Sequence, residues 1–121
     1  MSVKKVLLAD DHAPVRAGVR GTLECDGFVV CAEVADAPSA IEAALRERPD
    51  IVLMDINMPG NGIEATREIA RQLPETAIVM LTVSRADADL FDALCAGASG
   101  YLLKDIDPAR LPAALRADAA E

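Results

Sequence analysis

"DIVLMDINMPG", residues 50–60, runs a continuous apolar stretch, Ile51 to Met54, into the carboxylate of Asp55 and then into turn-forming residues. The run is too short for a helix and shows no polar alternation, so it reads as a strand covered on both faces. A strand of that kind belongs in a parallel sheet sandwiched between helices. Comparable runs lie on either side: "VKKVLLA" (3–9), "FVVCAEV" (28–34), "AIVMLTV" (77–83) and the shorter "GYLLK" (100–104). Most of them are equally continuous and are expected to be buried on both sides.

The segments between these runs carry helical spacing. Val15, Val19, Thr22 and Leu23 share one stripe of a first helix, which "DGF" at 26–28 stops. "DAPSAIEAALRERPD" places Pro38 near a helix start, sets Ala40, Ile41, Ala44 and Leu45 on one face, and breaks at Pro49. Further helices are expected over about 63–73 and 86–95, and a fifth from Pro108 onward, with Pro112 close enough to its first turn to be tolerated. Strand and helix thus alternate five times. This predicts an α/β, doubly wound fold with right-handed crossovers and helices on both faces of the sheet.

The 121 residues suit a single domain with one core. Hydrophobic residues make up 52% but aromatic ones only 2%, so Val, Ile, Leu, Met and Ala must fill that core. A net charge of −8 argues against this surface binding a phosphate backbone, which requires clustered Lys and Arg. Cys25, Cys31 and Cys95 have neither CxxC nor metal-ligand spacing and are expected to be reduced and mostly buried. There is no signal-peptide pattern and no apolar run near the ~20 residues that span a membrane, so a cytoplasmic location is expected.

In an open parallel sheet, ligands gather beyond the carboxyl ends of the strands, where the strand order reverses. Asp10 and Asp11 end the first strand, Asp55 the third, Thr82 the fourth and Lys104 the fifth. Taken singly, each has a structural explanation: the aspartates as caps or turn residues, Thr82 as a strand-end residue, Lys104 as a solvated cation. Their arrival at one edge favours chemistry. Crowded carboxylates need a cation to offset them, and Mg2+ suits a site with one or two carboxylates and phosphate oxygens. Asp55 could then attack a phosphoryl group, with Lys104 and Thr82 countering the charge that develops on its oxygens. No GxxxxGKS loop is present, so ATP bound by this domain is not the expected donor.

The phrases "LLADDH", "IVLMDINMPG", "IVMLTVS" and "GASGYLLKD" resemble the receiver domain of bacterial two-component response regulators, from Val3 to about Asp105. The resemblance implies a (βα)5 flavodoxin-like or CheY-like three-layer sandwich with a five-stranded parallel sheet in the order 2-1-3-4-5. It implies Asp55 as phosphoacceptor, Asp11 as a direct Mg2+ ligand assisted by Asp10, the Asn57 backbone carbonyl as a further ligand, and Thr82 and Lys104 as phosphoryl contacts. Tyr101 falls at the family's aromatic switch position, while Asn57 and Ser84 flank the phosphoryl site and are expected to tune its lifetime. His12 belongs to the "DDH" phrase and is read as an exposed loop histidine with no catalytic role.

"DDHAPVRAGVRGTLE" and "GASGYLLKD" are most similar to the NarL/FixJ subgroup, whose receivers precede a LuxR-type helix-turn-helix domain. Residues 1–121 therefore read as a receiver from a longer transcription regulator, with the effector domain expected to be absent from this chain. A stand-alone receiver working through protein contacts is the other reading. The implied partners are a sensor histidine kinase, a second copy on phosphorylation, and DNA only through the effector domain, with no membrane. A small aspartyl-phosphate-forming hydrolase is a rival, but it would need a general acid or base and a cap, and neither is evident. The chain therefore reads as a switch that catalyses its own modification rather than as an enzyme. One departure stands out: most family members carry one more residue between the phosphoacceptor and the glycine opening the third helix than "DINMPGNG" does. Metal binding should survive that shortening, and the entry to the third helix should change, with Pro59, Gly60, Asn61 and Gly62 supplying the turn chemistry.

Overall fold

The computed structural model of the chain describes residues 4–83 and 86–119. Its elements are β1 (Lys5–Ala9), α1 (Ala13–Cys25), β2 (Val29–Val34), α2 (Ala37–Glu47), β3 (Ile51–Met54), α3 (Gly62–Gln72), β4 (Ala77–Thr82), α4 (Asp87–Ala96), β5 (Gly100–Leu103) and α5 (Leu111–Ala119). The strands form one parallel sheet, as their alternation with helices predicts, in the order β2-β1-β3-β4-β5 that the resemblance implies. The chain leaves β1 toward β2 and returns to β3, so the order reverses between β1 and β3.

Two apolar layers cover the sheet. On one face Leu7, Val52, Met54, Ile78 and Met80 meet the small buried residues of α2 and Ile63, Ala65 and Ile69 of α3, with Ala93 and Ala96 of α4 alongside. On the other, Val6, Leu8, Leu53, Val79 and Leu81 meet Leu23 of α1 and Leu111 and Leu115 of α5. Burying a leucine such as Leu23 or Leu115 completely contributes about 1.5–3 kcal/mol. Alternate residues of one strand thus serve opposite layers, which is why β1, β3 and β4 read as continuous apolar runs.

Three expectations need adjustment. β2 and β5 are only half-buried over most of their length, because they are the edges of the sheet. The last helix opens as a 3-10 turn over Pro108–Arg110 before α5, and Pro112 sits at the start of α5, where a missing N–H costs no helical bond. The cysteines are free, but Cys25 and Cys95 are exposed and Cys31 is only partly buried. Cys25 closes α1, and Cys95 lies on the outer side of α4, whose buried stripe is Ala93 and Ala96. Among the described residues, no helix is long and apolar enough to cross a membrane.

Candidate functional site

β1 and β3 are adjacent, and their pairing continues one residue past Met54, where the Asp55 N–H donates to the Ala9 carbonyl at 2.9 Å. Asp10 and Asp55 therefore leave the sheet side by side. Both are buried, whereas Asp11, one residue further along, is exposed. One carboxylate oxygen from each of Asp10, Asp11 and Asp55 lies within 4.8 Å of the others.

Lys104 follows β5 and reaches across to this cluster. Its Nζ lies 2.7 Å from Asp10 Oδ2 and 3.2 Å from Asp55 Oδ2. Its backbone N–H donates to the Thr82 carbonyl at 2.8 Å, so the end of β4 holds the base of the lysine while the two carboxylates hold its tip. Thr82 is fully buried at that strand end. The remaining oxygens are partly engaged: Asp10 Oδ1 accepts from the His12 N–H at 2.9 Å, and Asp55 Oδ1 from the Asn57 N–H at 3.2 Å.

Charge does not balance in this pocket: three carboxylates face the Lys104 ammonium, and the nearby Arg16 guanidinium is paired with Glu33. Burial pushes the Asp55 carboxyl above the usual carboxylate range; the Asn57 N–H and the Lys104 charge oppose this, and Asp10 adds to it. Burial also works to lower the Lys104 ammonium, but its hydrogen bond to Asp10 and the charges of Asp55 and Asp10 outweigh that effect and hold it above the ordinary lysine value. A set of hard oxygen donors with excess negative charge fits a divalent cation such as Mg2+.

The loop after Asp55 is as compact as its length requires. Gly60 and Asn61 both take positive φ, 88° and 72°. The Asn61 side chain caps α3 by accepting from the Ile63 N–H at 2.8 Å, and the Pro59 carbonyl accepts from the Ala37 N–H at 2.8 Å. Gly62 then packs directly on the Asp55 backbone: a Cβ there would stand 2.0 Å from the Asp55 carbonyl oxygen.

Asp10, Asp11, Asp55 and Lys104 are thus brought together, with Thr82 behind the lysine and Asn57 beside Asp55 through its N–H. Tyr101 stands apart, on β5 opposite Met80 and partly buried against the layer that holds α2, α3 and α4. His12 is exposed at the N-cap position of α1. Ser84 lies outside the described residues. Sequence reasoning passed over Arg16, whose Nη1 donates to the Asp10 carbonyl at 2.6 Å and whose Nε pairs with Glu33 Oε1 at 3.1 Å. Its only signal was a cation one turn into the helix that follows the aspartates.

A family model for the response regulator receiver domain matches residues 6–116. The chain belongs to that family. As a receiver domain it is similar to the nitrate/nitrite response regulator protein NarP of Escherichia coli (strain K12), 45% identical over 117 residues that cover 95% of this chain and 54% of NarP. Response regulator UvrY of the same strain is 42% identical over 113 residues, covering 92% of this chain and 52% of UvrY. The chain therefore spans about half the length of the curated relatives it matches. Among solved structures, a two-component response regulator of the LuxR family from Aurantimonas sp. SI85-9A1 aligns with a TM-score of 0.91 at 42% identity, over 98% of this chain and 86% of that one. The Vibrio cholerae chemotaxis protein CheY4 aligns with a TM-score of 0.88 at 31% identity, over 96% of this chain and 98% of that one. These likenesses place the receiver domain with the LuxR-family two-component response regulators and bear out the subgroup read from "DDHAPVRAGVRGTLE".

Proposed function

We propose that this receiver domain is a phosphorylation switch in which Asp55 accepts a phosphoryl group from the phosphohistidine of a sensor histidine kinase. The observation that carries the reading is the buried Asp55 carboxylate, 3.2 Å from the Lys104 ammonium and within 4.8 Å of two further carboxylates. An Asp55 oxygen attacks phosphorus, the P–N bond of the donor breaks, and its electron pair stays on the histidine nitrogen. Lys104 is close enough to pair with an oxygen of the transferred group, and the Thr82 hydroxyl at the neighbouring strand end donates to another. Asp10, Asp11, Asp55 and the Asn57 backbone carbonyl would hold Mg2+, which when bound neutralises the carboxylates and the phosphoryl oxygens.

A groove of about 240 Å3 between α1 and the segment after β5, lined by Val15, Gly18, Ile106 and Leu111, reaches Lys104 and offers the donor protein an apolar footing next to that lysine. The added charge at Asp55 biases Thr82 and Tyr101 toward a second arrangement. In the full-length cytoplasmic regulator this controls a LuxR-type DNA-binding output, with dimerisation of the receiver as one route. Residues 1–121 act as the receiver unit, and its self-catalysed phosphotransfer and dephosphorylation make it a switch rather than an enzyme with turnover on external substrates.

The test is the intact mass of the chain after incubation with acetyl phosphate and Mg2+, beside Asp55→Asn and a chelated sample. A gain of one phosphoryl group, lost in both controls, is expected. Modification that persists in Asp55→Asn would refute the assignment of the acceptor. Sustained turnover of a phosphate ester would favour the hydrolase reading.

A further inference from the structure

We infer that Arg16 is a positioning residue for the metal-binding loop: its guanidinium orients the Asp10–Asp11 peptide, and Glu33 on the sheet edge holds the guanidinium in place. The inference rests on the proposed Mg2+-dependent reading of the site.

The strand ladder is interrupted at Asp10. The Asp10 N–H still pairs with β2, donating to the Val34 carbonyl at 3.0 Å, but β2 ends at Val34 and no further strand rung is available for the Asp10 carbonyl. Asp10 is buried, and a buried carbonyl needs a partner. Arg16 supplies it, with Nη1 at 2.6 Å. Because the peptide is planar, holding the Asp10 oxygen restricts where the Asp11 nitrogen and Cα can lie, and so the point from which the Asp11 side chain starts.

Glu33 keeps the guanidinium from drifting. Its Oε1 takes Arg16 Nε at 3.1 Å, and its Oε2 takes Arg20 Nη1 at 2.5 Å. Arg20 is tied in turn to Glu24. The Arg16 side chain is only 21% exposed and lines a crevice with Asp10 and Asp55. The fork matters as much as the charge. A guanidinium can bond a carbonyl and a carboxylate at once from fixed directions, whereas an ammonium on a flexible stem cannot reproduce both.

Sign separates this role from simple electrostatics. A positive charge beside a cation site repels the cation, so electrostatics alone makes Arg16→Gln bind Mg2+ more tightly. Positioning makes it bind more weakly, by about tenfold, the scale at which partners behind metal ligands act. Arg16→Lys keeps the charge and loses the fork, and is expected to weaken binding similarly.

The experiment is a Mg2+ titration of the 121-residue chain, followed by the backbone amide NMR shifts of Asp11 and Asn57, for wild type, Arg16→Gln and Arg16→Lys. The same spectra report whether each variant is folded. Acetyl phosphate labelling at Mg2+ concentrations from below to above saturation adds a second readout: the deficit should shrink as Mg2+ rises, because the loss lies in metal affinity. Saturable wild-type binding with both variants about tenfold weaker supports the inference. Saturable wild-type binding with Arg16→Gln unchanged or tighter overturns it while leaving the switch reading intact. Wild type that binds no Mg2+ overturns the switch reading and this inference with it. Should Arg16→Gln fail to fold, Arg16→Lys decides, since unchanged affinity with the charge retained overturns the positioning role.

Discussion

Gly62 is where the loop after Asp55 presses hardest on the site, and Gly62→Ala tests that directly. A Cβ at this position stands 2.0 Å from the Asp55 carbonyl oxygen, 2.9 Å from its carbon and 3.0 Å from the Ile56 Cα. All three are backbone atoms, so no side chain can swing aside. Bringing the closest contact from 2.0 Å to a tolerable 3.0 Å moves Asp55 or the start of α3 by at least 1.0 Å. Overpacking of this kind costs up to about 3 kcal/mol. Alanine's better helix propensity at the first turn of α3 returns at most about 1 kcal/mol. The net loss is about 2 kcal/mol, which for a domain of this size lowers the melting temperature by about 8 °C. A 1 Å displacement of the acceptor should also slow labelling by acetyl phosphate about 100-fold. Gly21→Ala is the control, because nothing lies within 4 Å of its Cβ and its backbone is helical. That variant should melt about 2–4 °C higher and label at the wild-type rate. Thermal unfolding by circular dichroism and intact-mass kinetics measure both effects. A Gly62→Ala protein that melts within about 2 °C of wild type and labels normally would refute the claim that this contact fixes Asp55.

Lys104→Met leaves the buried Asp10 and Asp55 carboxylates without their shared ammonium and should cost about 3 kcal/mol in urea unfolding with chelator present. Millimolar Mg2+ should stabilise this variant more than wild type, and equal responses would show that the lysine and the cation do not share the same charge. The Arg20 and Arg16 hydrogen bonds outweigh burial and hold the Glu33 carboxyl below its usual range, so its stabilising contribution is complete above the ordinary glutamate pKa and is lost as pH falls through the depressed value. Glu33→Gln should therefore be less stable than wild type at pH 7, with the gap closing in strong acid; a gap that is constant with pH would count against the ion pairs. Gly18→Arg puts a long side chain at the groove beside Lys104, where the backbone has room for a Cβ, since nothing lies within 4 Å of one at Gly18. It should leave acetyl phosphate labelling unchanged and slow transfer from a sensor kinase at least tenfold, and equal loss with both donors would place the defect in the site rather than in docking.

Much of this fold is legible because a strand buried on both faces has no room for polar residues. Ile51–Met54 and Ala77–Thr82 announce themselves in this way, and the alternation with helical stripes then restricts the sheet to a parallel one. β2 and β5 show what such patterns omit. "VVCAEV" and "GYLL" are nearly as apolar as the central strands, yet each lies at an edge, and edge position is a property of strand order rather than of any one strand. The cysteines failed for a related reason. A residue type's usual burial says nothing about which side of α4 the inner stripe of Ala93 and Ala96 occupies, and Cys95 falls on the other side. Asp10, Asp11, Asp55 and Lys104 were readable as a group because strand ends in a parallel sheet must converge. Arg16 was not, because it meets the site through helix pitch and a backbone carbonyl, and neither leaves a mark on spacing.

Lys104 is the physical link through which an event at Asp55 reaches β5. One ammonium serves two carboxylates, at 2.7 Å and 3.2 Å, and its own backbone N–H is bonded to the Thr82 carbonyl. A ligand or modification shifts an equilibrium only through contacts that differ between the two states. On the proposed reading, phosphorylated Asp55 brings more negative charge and more acceptor oxygens, so it competes with Asp10 for the same Nζ. Lys104 then moves toward Asp55 and away from Asp10, and the end of β5 feels the change through the covalent chain. Tyr101, three residues earlier on that edge strand, is only partly buried, whereas the residues of β3 and β4 are fully covered. On that reading the half-buried edge strand is what yields to the site, while the fully buried central strands keep Asp55 in place.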